Sequence, residues 1–333
     1  MAEYNPPLMY RNGHANTIAA ASLLRKAYAQ RVSRNFRAKS ISHTLTLSND
    51  VRLQGFLTTH DDSSGIPNQF SNQKPLVMIM HGWLGCADSL YLLPIASKLY
   101  MLGFNIFRLN FRDHGGTQHL NQELFHSCRL DEVLEATQVV QQQTPHSKFS
   151  LLGFSLGGNF ALRIGAEAKE KEKNLSIDKI ISVCPVMNAS NALDETQSML
   201  KVYTEYYLQR WKNMLKAKHQ HFPDSYDLAT INQQSSLTEM TEHLLLKYTE
   251  FDSVKKYLEG YSITGDRLQT LSADSDVYIA EDDPVIPSKD WQNLHASEHL
   301  NIHQTRFGGH CGYLNGLFNT NWIDQQIIRT LRA

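Results

Sequence analysis

Short apolar runs separated by longer stretches of helical periodicity dominate the first 187 residues. Four runs are apolar at most positions: Leu76–Met80, Asn105–Leu109, Phe149–Leu152 and Ile180–Cys184. Between them stand three helical stretches, near Leu90–Leu102, Leu130–Gln142 and Leu156–Ala168. Strands that are buried on both faces and alternate with helices form parallel sheets with right-handed crossovers. The pattern therefore predicts an α/β protein with a mostly parallel central sheet flanked by helices.

Two further regions carry strand patterns. Thr44–Leu47 and Val51–Thr58 alternate between apolar and polar residues around the turn-forming Ser48, Asn49 and Asp50, which predicts an antiparallel pair. The strand and helix rhythm returns late in the chain, with a strand at Asp276–Ala280, a helix near Asp290–Leu294 and a strand at Leu300–Phe307.

The region from about residue 188 to 262 reads as mostly helical, with no clear buried strand. One apolar helix face recurs there at steps of three and four residues: Leu200, Tyr203, Tyr207, Trp211 and Met214. An insertion between two strands of a sheet is typical of a cap. We therefore predict a helical cap at 188–262 and a core made of 1–187 and 263–333, with 1–40 as an N-terminal extension packed on it.

Composition narrows the functional classes. The chain has 333 residues and a formal net charge of -1, which gives no electrostatic case for nucleic-acid binding. Its four cysteines lie far apart and form no CxxC pair, so we expect neither a metal site nor a disulfide framework, and no cofactor. No apolar run approaches the roughly 18 residues of a membrane helix. These features favour a cytoplasmic protein.

The N-terminal segment departs from this neutral average. No acidic residue occurs between Glu3 and Asp50, whereas the same stretch holds seven arginines and lysines: Arg11, Arg25, Lys26, Arg31, Arg34, Arg37 and Lys39. A solvated basic helix at the edge of the fold, an organelle transit peptide and a surface for peripheral contact with anionic lipid all fit this pattern.

The motif Gly153-Phe154-Ser155-Leu156-Gly157-Gly158 stands between an apolar strand and a helix. This is the pattern of a nucleophile elbow, in which the serine sits on a sharp strand-to-helix turn with its Oγ exposed. Gly153 and Gly157 allow the two backbones to pass closely. The sequence therefore predicts Ser155 as a catalytic nucleophile.

A serine hydroxyl needs a base to take its proton, and in this arrangement the acid and then the histidine follow the serine along the chain. His310 lies in a glycine-flanked loop directly after the last strand, where it can reach back over the serine. Glu281-Asp282-Asp283-Pro284 follows the preceding strand. We expect Asp283 to orient the histidine, with Asp282 as the alternative.

An oxyanion hole requires two backbone donors. We expect one to be the N–H of Leu156, the residue after the nucleophile. The loop after Leu76–Met80 reads His81-Gly82-Trp83-Leu84-Gly85 and should supply the other, the N–H of Trp83. His81 and Gly82 then shape this loop, and His81 is expected to be a hydrogen-bonded scaffold residue.

Five stretches resemble the YheT-like branch of the α/β hydrolases, which includes several mammalian abhydrolase-domain proteins. They are the RNGHANTI run at residues 11–18, HGWLG at 81–85, FRDHGGT at 111–117, GFSLGGN at 153–159, and EDDPVIP at 281–287 followed by GGH at 308–310. The resemblance implies an α/β-hydrolase fold and esterase or lipase-like activity, with Ser155, Asp283 and His310 as the triad. It also implies that the first run belongs to the mature fold.

The sequence thus predicts a carboxylic ester hydrolase that works through a Ser-His-Asp triad and an acyl-enzyme, on a small-molecule or lipid ester. An acyltransferase or thioesterase could use the same triad, since the chemistry at the serine is shared by these activities. A non-catalytic binding protein on the hydrolase scaffold is a further alternative.

Overall fold

The computed structural model describes residues 3–60, 74–144, 146–168, 175–198, 201–292, 294–295 and 297–333. Within these residues the strands are β1 (Ile41–Thr46), β2 (Arg52–Thr58), β3 (Leu76–Met80), β4 (Asn105–Asn110), β5 (Phe149–Phe154), β6 (Lys179–Val183), β7 (Asp274–Ala280) and β8 (Leu300–Thr305). They form one sheet in the order β1-β2-β4-β3-β5-β6-β7-β8. The pairs β1–β2 and β2–β4 are antiparallel, and the other neighbours are parallel.

The helices of the described residues are α1 (Gly13–Ala20), α2 (Leu23–Ala38), α3 (Leu92–Met101), α4 (Leu130–Gln143), α5 (Leu156–Glu167), α6 (Ala189–Ser198), α7 (Lys201–His221), α8 (Leu228–Gln233), α9 (Leu237–Tyr248), α10 (Val254–Tyr261) and α11 (Trp322–Arg332). Apolar residues of α4 and α5 pack on one face of the sheet. Those of α3 and α11 pack on the other, and α2 packs on α3. The buried strands therefore have a hydrophobic layer on each side.

The predicted α/β architecture, a mostly parallel sheet flanked by helices, is confirmed. The predicted helix near Asp290–Leu294 is wrong: the described residues form only a 3-10 turn, Ser288–Trp291. This segment is too short to sustain an α-helix on its own, and Trp291 is instead buried in the core. Residue 293 and Leu200, the first member of the apolar helix face, lie outside the described residues.

Helices α6–α10 lie between β6 and β7 along the chain, and residues of α7, α8 and α9 form a small apolar cluster with Leu124 of the core. Lys218 of α7 is fully buried and donates hydrogen bonds to Asp113 Oδ1 at 2.6 Å and to the Asn121 carbonyl at 2.5 Å. A buried ion pair of this kind is costly to break from one side, because the partner charge is left unpaired. It fixes α7 against the loop that follows β4.

The parallel strands β3, β5, β6, β7 and β8 all end at the same edge of the sheet. In open α/β sheets this carboxyl edge is where ligands bind. No helix in the described ranges is both long enough and apolar enough to cross a membrane.

Candidate active site

Ser155 occupies the sharp turn between β5 and α5. Its φ of 52° and ψ of -119° lie outside the ordinary region for a residue with a side chain, and such strain clusters at functional sites. A Cβ on Gly153 would collide with the Gly157 carbonyl, and a Cβ on Gly157 would collide with the backbone of Met80. The two glycines are therefore what allows this turn to form beside β3.

His310 and Asp283 extend from Ser155 as a hydrogen-bonded relay. The Ser155 hydroxyl lies 3.0 Å from His310 Nε2, and His310 Nδ1 lies 2.9 Å from Asp283 Oδ2. The second carboxylate oxygen of Asp283 accepts the backbone N–H groups of Val285 and Ile286. With Nδ1–H donating to Asp283, Nε2 of the neutral imidazole is the nitrogen that can accept the serine proton.

Asp282, the alternative acid, points to a different partner. Its Oδ1 accepts the backbone N–H of Gly309 at 2.8 Å, and burial raises its pKa. Asp282 thus braces the loop that carries His310, whereas Asp283 contacts the imidazole itself. Of the two candidates, the structure brings only Asp283 into the relay.

The electrostatics of the relay favour a proton on His310. Burial disfavours the charged imidazole, but the Asp283 carboxylate outweighs this effect and raises the pKa of His310 to about 9. The same carboxylate would stabilise the imidazolium that forms when the histidine takes a proton from serine.

Two buried histidines hold the His81–Gly85 loop. The backbone N–H of Phe111 donates to His81 Nε2 at 3.2 Å, so the other nitrogen, Nδ1, carries the proton and donates to the Gly82 carbonyl at 2.7 Å. In the same way, His114 Nε2 accepts the Leu84 N–H, and its protonated Nδ1 donates to the Arg112 carbonyl. Burial lowers the pKa of His81, and lowers that of His114 to about 4. Both rings therefore act as neutral braces.

This loop brings Trp83 to Ser155. Gly82 and Gly85 close a turn through the hydrogen bond from Gly85 N–H to the Gly82 carbonyl, and Tyr91 Oη accepts the Gly82 N–H at 2.8 Å. Trp83 and Leu156 line one cavity with Ser155. His114 and Tyr91 are contributions that the sequence reasoning missed. His114 lies in the FRDHGGT stretch, which was the available signal.

A cavity of about 740 Å³, part of it open to solvent, extends from Ser155 under the inserted helices. Its walls are mainly aliphatic and aromatic, and include Ala192, Leu193, Leu237, Leu258 and Ile286. Trp83 stacks on Tyr207 and meets the edge of Trp211, both on α7. The space beside the serine suits an apolar group.

The N-terminal element packs directly on the loop of His310. Thr17 Oγ1 accepts the backbone N–H of His310 at 2.9 Å and donates to the Gly13 carbonyl at 2.7 Å. Asn16 is fully buried, and its side chain accepts the backbone N–H of Leu314 and donates to the Tyr10 carbonyl. The RNGHANTI run is thus part of the architecture around the site.

Cys184 and Cys311 meet behind the relay, although they are distant in the sequence. The Cys311 N–H donates to Cys184 Sγ at 3.4 Å, and these two sulfurs and a His310 nitrogen lie within 4.8 Å of one another. This is the one metal-capable grouping found in the described part of the chain. Both imidazole nitrogens already contact Ser155 and Asp283, so a soft metal ion would have to compete with the relay.

Known proteins share this arrangement of elements. A family model described as the α/β hydrolase fold matches residues 75–317. The chain is similar to YheT of Escherichia coli (strain K12), with 22% identity over 268 residues that cover 77% of this chain and 76% of that protein. It is also similar in structure to the 2,6-dihydroxy-pseudo-oxynicotine hydrolase, with a TM-score of 0.58, 14% identity and coverage of 95% and 78% of the two chains.

The esterase Pf2001 of Pyrococcus furiosus is a further structural relative, with a TM-score of 0.57, 14% identity and coverage of 90% of this chain and 94% of that chain. The resemblance to the YheT-like branch that the motifs indicated is confirmed by the match to YheT. The family model covers well over half of the chain. The protein therefore belongs to the α/β-hydrolase fold family.

Proposed function

We propose that this protein is a serine hydrolase of carboxylic esters that works through an acyl-enzyme. Ser155 attacks the ester carbonyl while His310 Nε2 takes the hydroxyl proton, and Asp283 holds the imidazole in the required tautomer. His310 then returns the proton to the departing alkoxide. A water molecule, deprotonated by the same histidine, attacks the acyl-serine and releases the acid.

The observation that carries this proposal is the continuous relay from Ser155 Oγ to His310 at 3.0 Å and on to Asp283 at 2.9 Å. A binding protein has no need of all three groups in register, and the strained backbone at Ser155 is also costly to keep without a use.

The oxyanion of the tetrahedral intermediate would be held by the N–H groups of Leu156 and Trp83. Leu156 begins α5, so its N–H belongs to a helix N-terminus, which favours negative charge. The braces at His81 and His114 would preorganise the Trp83 loop, so that little reorganisation is needed when charge develops.

The substrate class follows from the cavity beside the serine. Its mainly apolar walls suit the hydrocarbon part of an ester, and α6–α10 would act as the cap that encloses it. Structural relatives described as a hydrolase and an esterase are consistent with this chemistry.

The test is the turnover of p-nitrophenyl esters by the wild type and by Ser155→Ala. The variant should fold normally and lose turnover by roughly 10⁴-fold or more. Retention of full activity by Ser155→Ala would contradict the proposal. Product analysis with added alcohols or thiols decides the acceptor: an acyl product formed in preference to the free acid would indicate a transferase instead.

A further inference from the structure

Exposed apolar side chains concentrate at the N-terminal corner of the molecule. Six of the twelve large exposed apolar residues among the described positions lie there: Leu8, Met9, Ile18, Leu23, Leu24 and Phe318. Leu8 is 81% exposed and Leu23 is 82% exposed. Phe318 joins this group because Arg25 donates to the carbonyls of Leu317 and Asn319, on either side of it. We call these six residues the N-terminal surface.

Cations share the exposed side of α2 with these leucines. The helix buries one face through Arg25, Tyr28, Ala29, Ser33 and Phe36. Helical periodicity places Leu23, Leu24, Arg31 and Arg34 on the opposite side and Lys26 at the flank of the buried face, and all five are exposed. In the part of the chain that the structure describes, none of the three cations forms an ion pair with a carboxylate. Apolar and basic groups therefore face solvent together.

The N-terminal surface borders the candidate active site. Ile18 directly follows Thr17, whose hydroxyl accepts the backbone N–H of His310. On the same helix, the His14 carbonyl accepts a hydrogen bond from Tyr203 of α7. Helix α1 thus contacts the loop of His310 and the inserted helices, and it also carries the exposed Ile18 of the N-terminal surface.

We propose that the N-terminal surface docks peripherally on an anionic membrane and that ester-bearing lipids reach Ser155 from there. Leucine, isoleucine and phenylalanine side chains gain by burial at the boundary between headgroups and acyl chains, and neighbouring lysines and arginines are attracted to anionic lipid. The delivery of lipid esters rests on the proposed function, whereas the docking itself does not.

Charge argues against a second copy of this chain as the occupant. A two-fold symmetric interface would bring Lys26, Arg31 and Arg34 against the same three cations. The segment from residue 4 to 49 holds no acidic residue that could offset them. An anionic lipid surface complements both the charge and the apolar side chains.

The experiment measures binding of full-length Ser155→Ala protein to phosphatidylcholine vesicles with and without phosphatidylglycerol, by flotation. Use of this variant keeps lipid from being consumed, so the result does not depend on the proposed esterase activity. We expect binding to the anionic vesicles that weakens as salt is raised. Lys26→Gln, Arg31→Gln and Arg34→Gln together should weaken it by about fivefold per cation, or roughly hundredfold.

The double change Leu23→Ser and Leu24→Ser should weaken vesicle binding by about tenfold or more, since two apolar side chains no longer enter the bilayer. The matched control, Met101→Ser and Leu102→Ser, removes an exposed apolar pair at the far end of α3 and should bind like the parent. If the leucine variant misfolds, vesicle binding by the charge variant tests the proposal instead, because the three replaced side chains face solvent.

Failure to bind anionic vesicles, or binding that both variants retain, would overturn the proposal. Self-association that the leucine change abolishes would identify the surface as an interface between copies and would overturn it as well. Vesicle binding combined with no turnover of any ester would leave the docking intact and refute the proposed function instead.

Discussion

Replacing Thr17 by valine should impair turnover although this residue lies outside the proposed triad. The Thr17 hydroxyl accepts the backbone N–H of His310 at 2.9 Å and donates to the Gly13 carbonyl. Valine keeps the shape but leaves the His310 N–H unpaired, whereas the Gly13 carbonyl keeps the helical hydrogen bond from the backbone N–H of residue 17. An unsatisfied donor or acceptor in a protein interior costs about 1–3 kcal/mol, and the loop can recover this energy by moving His310 N–H toward water.

A displaced His310 lowers the rate of proton transfer more than it lowers substrate binding. If the whole penalty of about 1–3 kcal/mol enters the activation barrier, kcat falls by roughly fivefold to 150-fold. A misplacement of about 1 Å in a catalytic group can cost about hundredfold, which agrees with the upper part of this range. We therefore expect a loss in kcat with little change in KM.

The assay is steady-state hydrolysis of a soluble p-nitrophenyl ester by the wild type, Thr17→Val and Thr17→Ser, with thermal unfolding of each. Thr17→Ser retains the hydroxyl and should keep most of the activity. Wild-type kcat in Thr17→Val would refute the positioning role. Equal losses of kcat in both variants would also contradict it, because the hydroxyl would then not be the cause.

Three further predictions test other parts of the site. Asp283→Asn should lower kcat by roughly 10³-fold or more through loss of the required histidine tautomer. Asp282→Asn, which disturbs the hydrogen bond to the Gly309 N–H but no contact with the imidazole, should lower kcat far less. Equal effects would contradict the assignment of the acid. The base must be neutral, and Asp283 raises the pKa of His310 to about 9, so kcat/KM should rise with pH toward that value. In Asp283→Asn the residual activity should inflect at lower pH. A pH profile unchanged by the substitution would be inconsistent with Asp283 as the cause of the raised pKa. Lys218→Met should destabilise the fold by about 3–5 kcal/mol in urea unfolding by leaving Asp113 buried and unpaired, and adding Asp113→Asn should restore part of that loss.

The sheet and the order of the relay residues were accessible from the sequence for a physical reason. Parallel strands buried on both faces leave continuous apolar runs, and β3 begins and ends at the predicted residues. Because parallel strands end at one edge, the residues after β3, β5, β7 and β8 had to approach one another. The shared edge therefore brings together Ser155, Asp283 and His310, which follow β5, β7 and β8.

Contacts between distant segments were not accessible in the same way. No local pattern around Thr17 indicates that its hydroxyl accepts the His310 N–H, and none indicates that Cys184 lies against Cys311. Such pairs depend on how separate elements pack in three dimensions. The sequence favoured Asp283 over Asp282 but left Asp282 open, because adjacent carboxylates have the same chemistry and differ only in where the turn directs them.

Covalent labelling of the resting protein tests the central claim most directly. A fluorophosphonate reacts with serine hydroxyls that a base has activated, and peptide mass spectrometry locates the adduct. The relay of Ser155, His310 and Asp283 predicts one adduct, on Ser155, whose formation is strongly slowed in His310→Ala. An unlabelled Ser155 in folded wild-type protein, or labelling that does not depend on His310, would contradict the account.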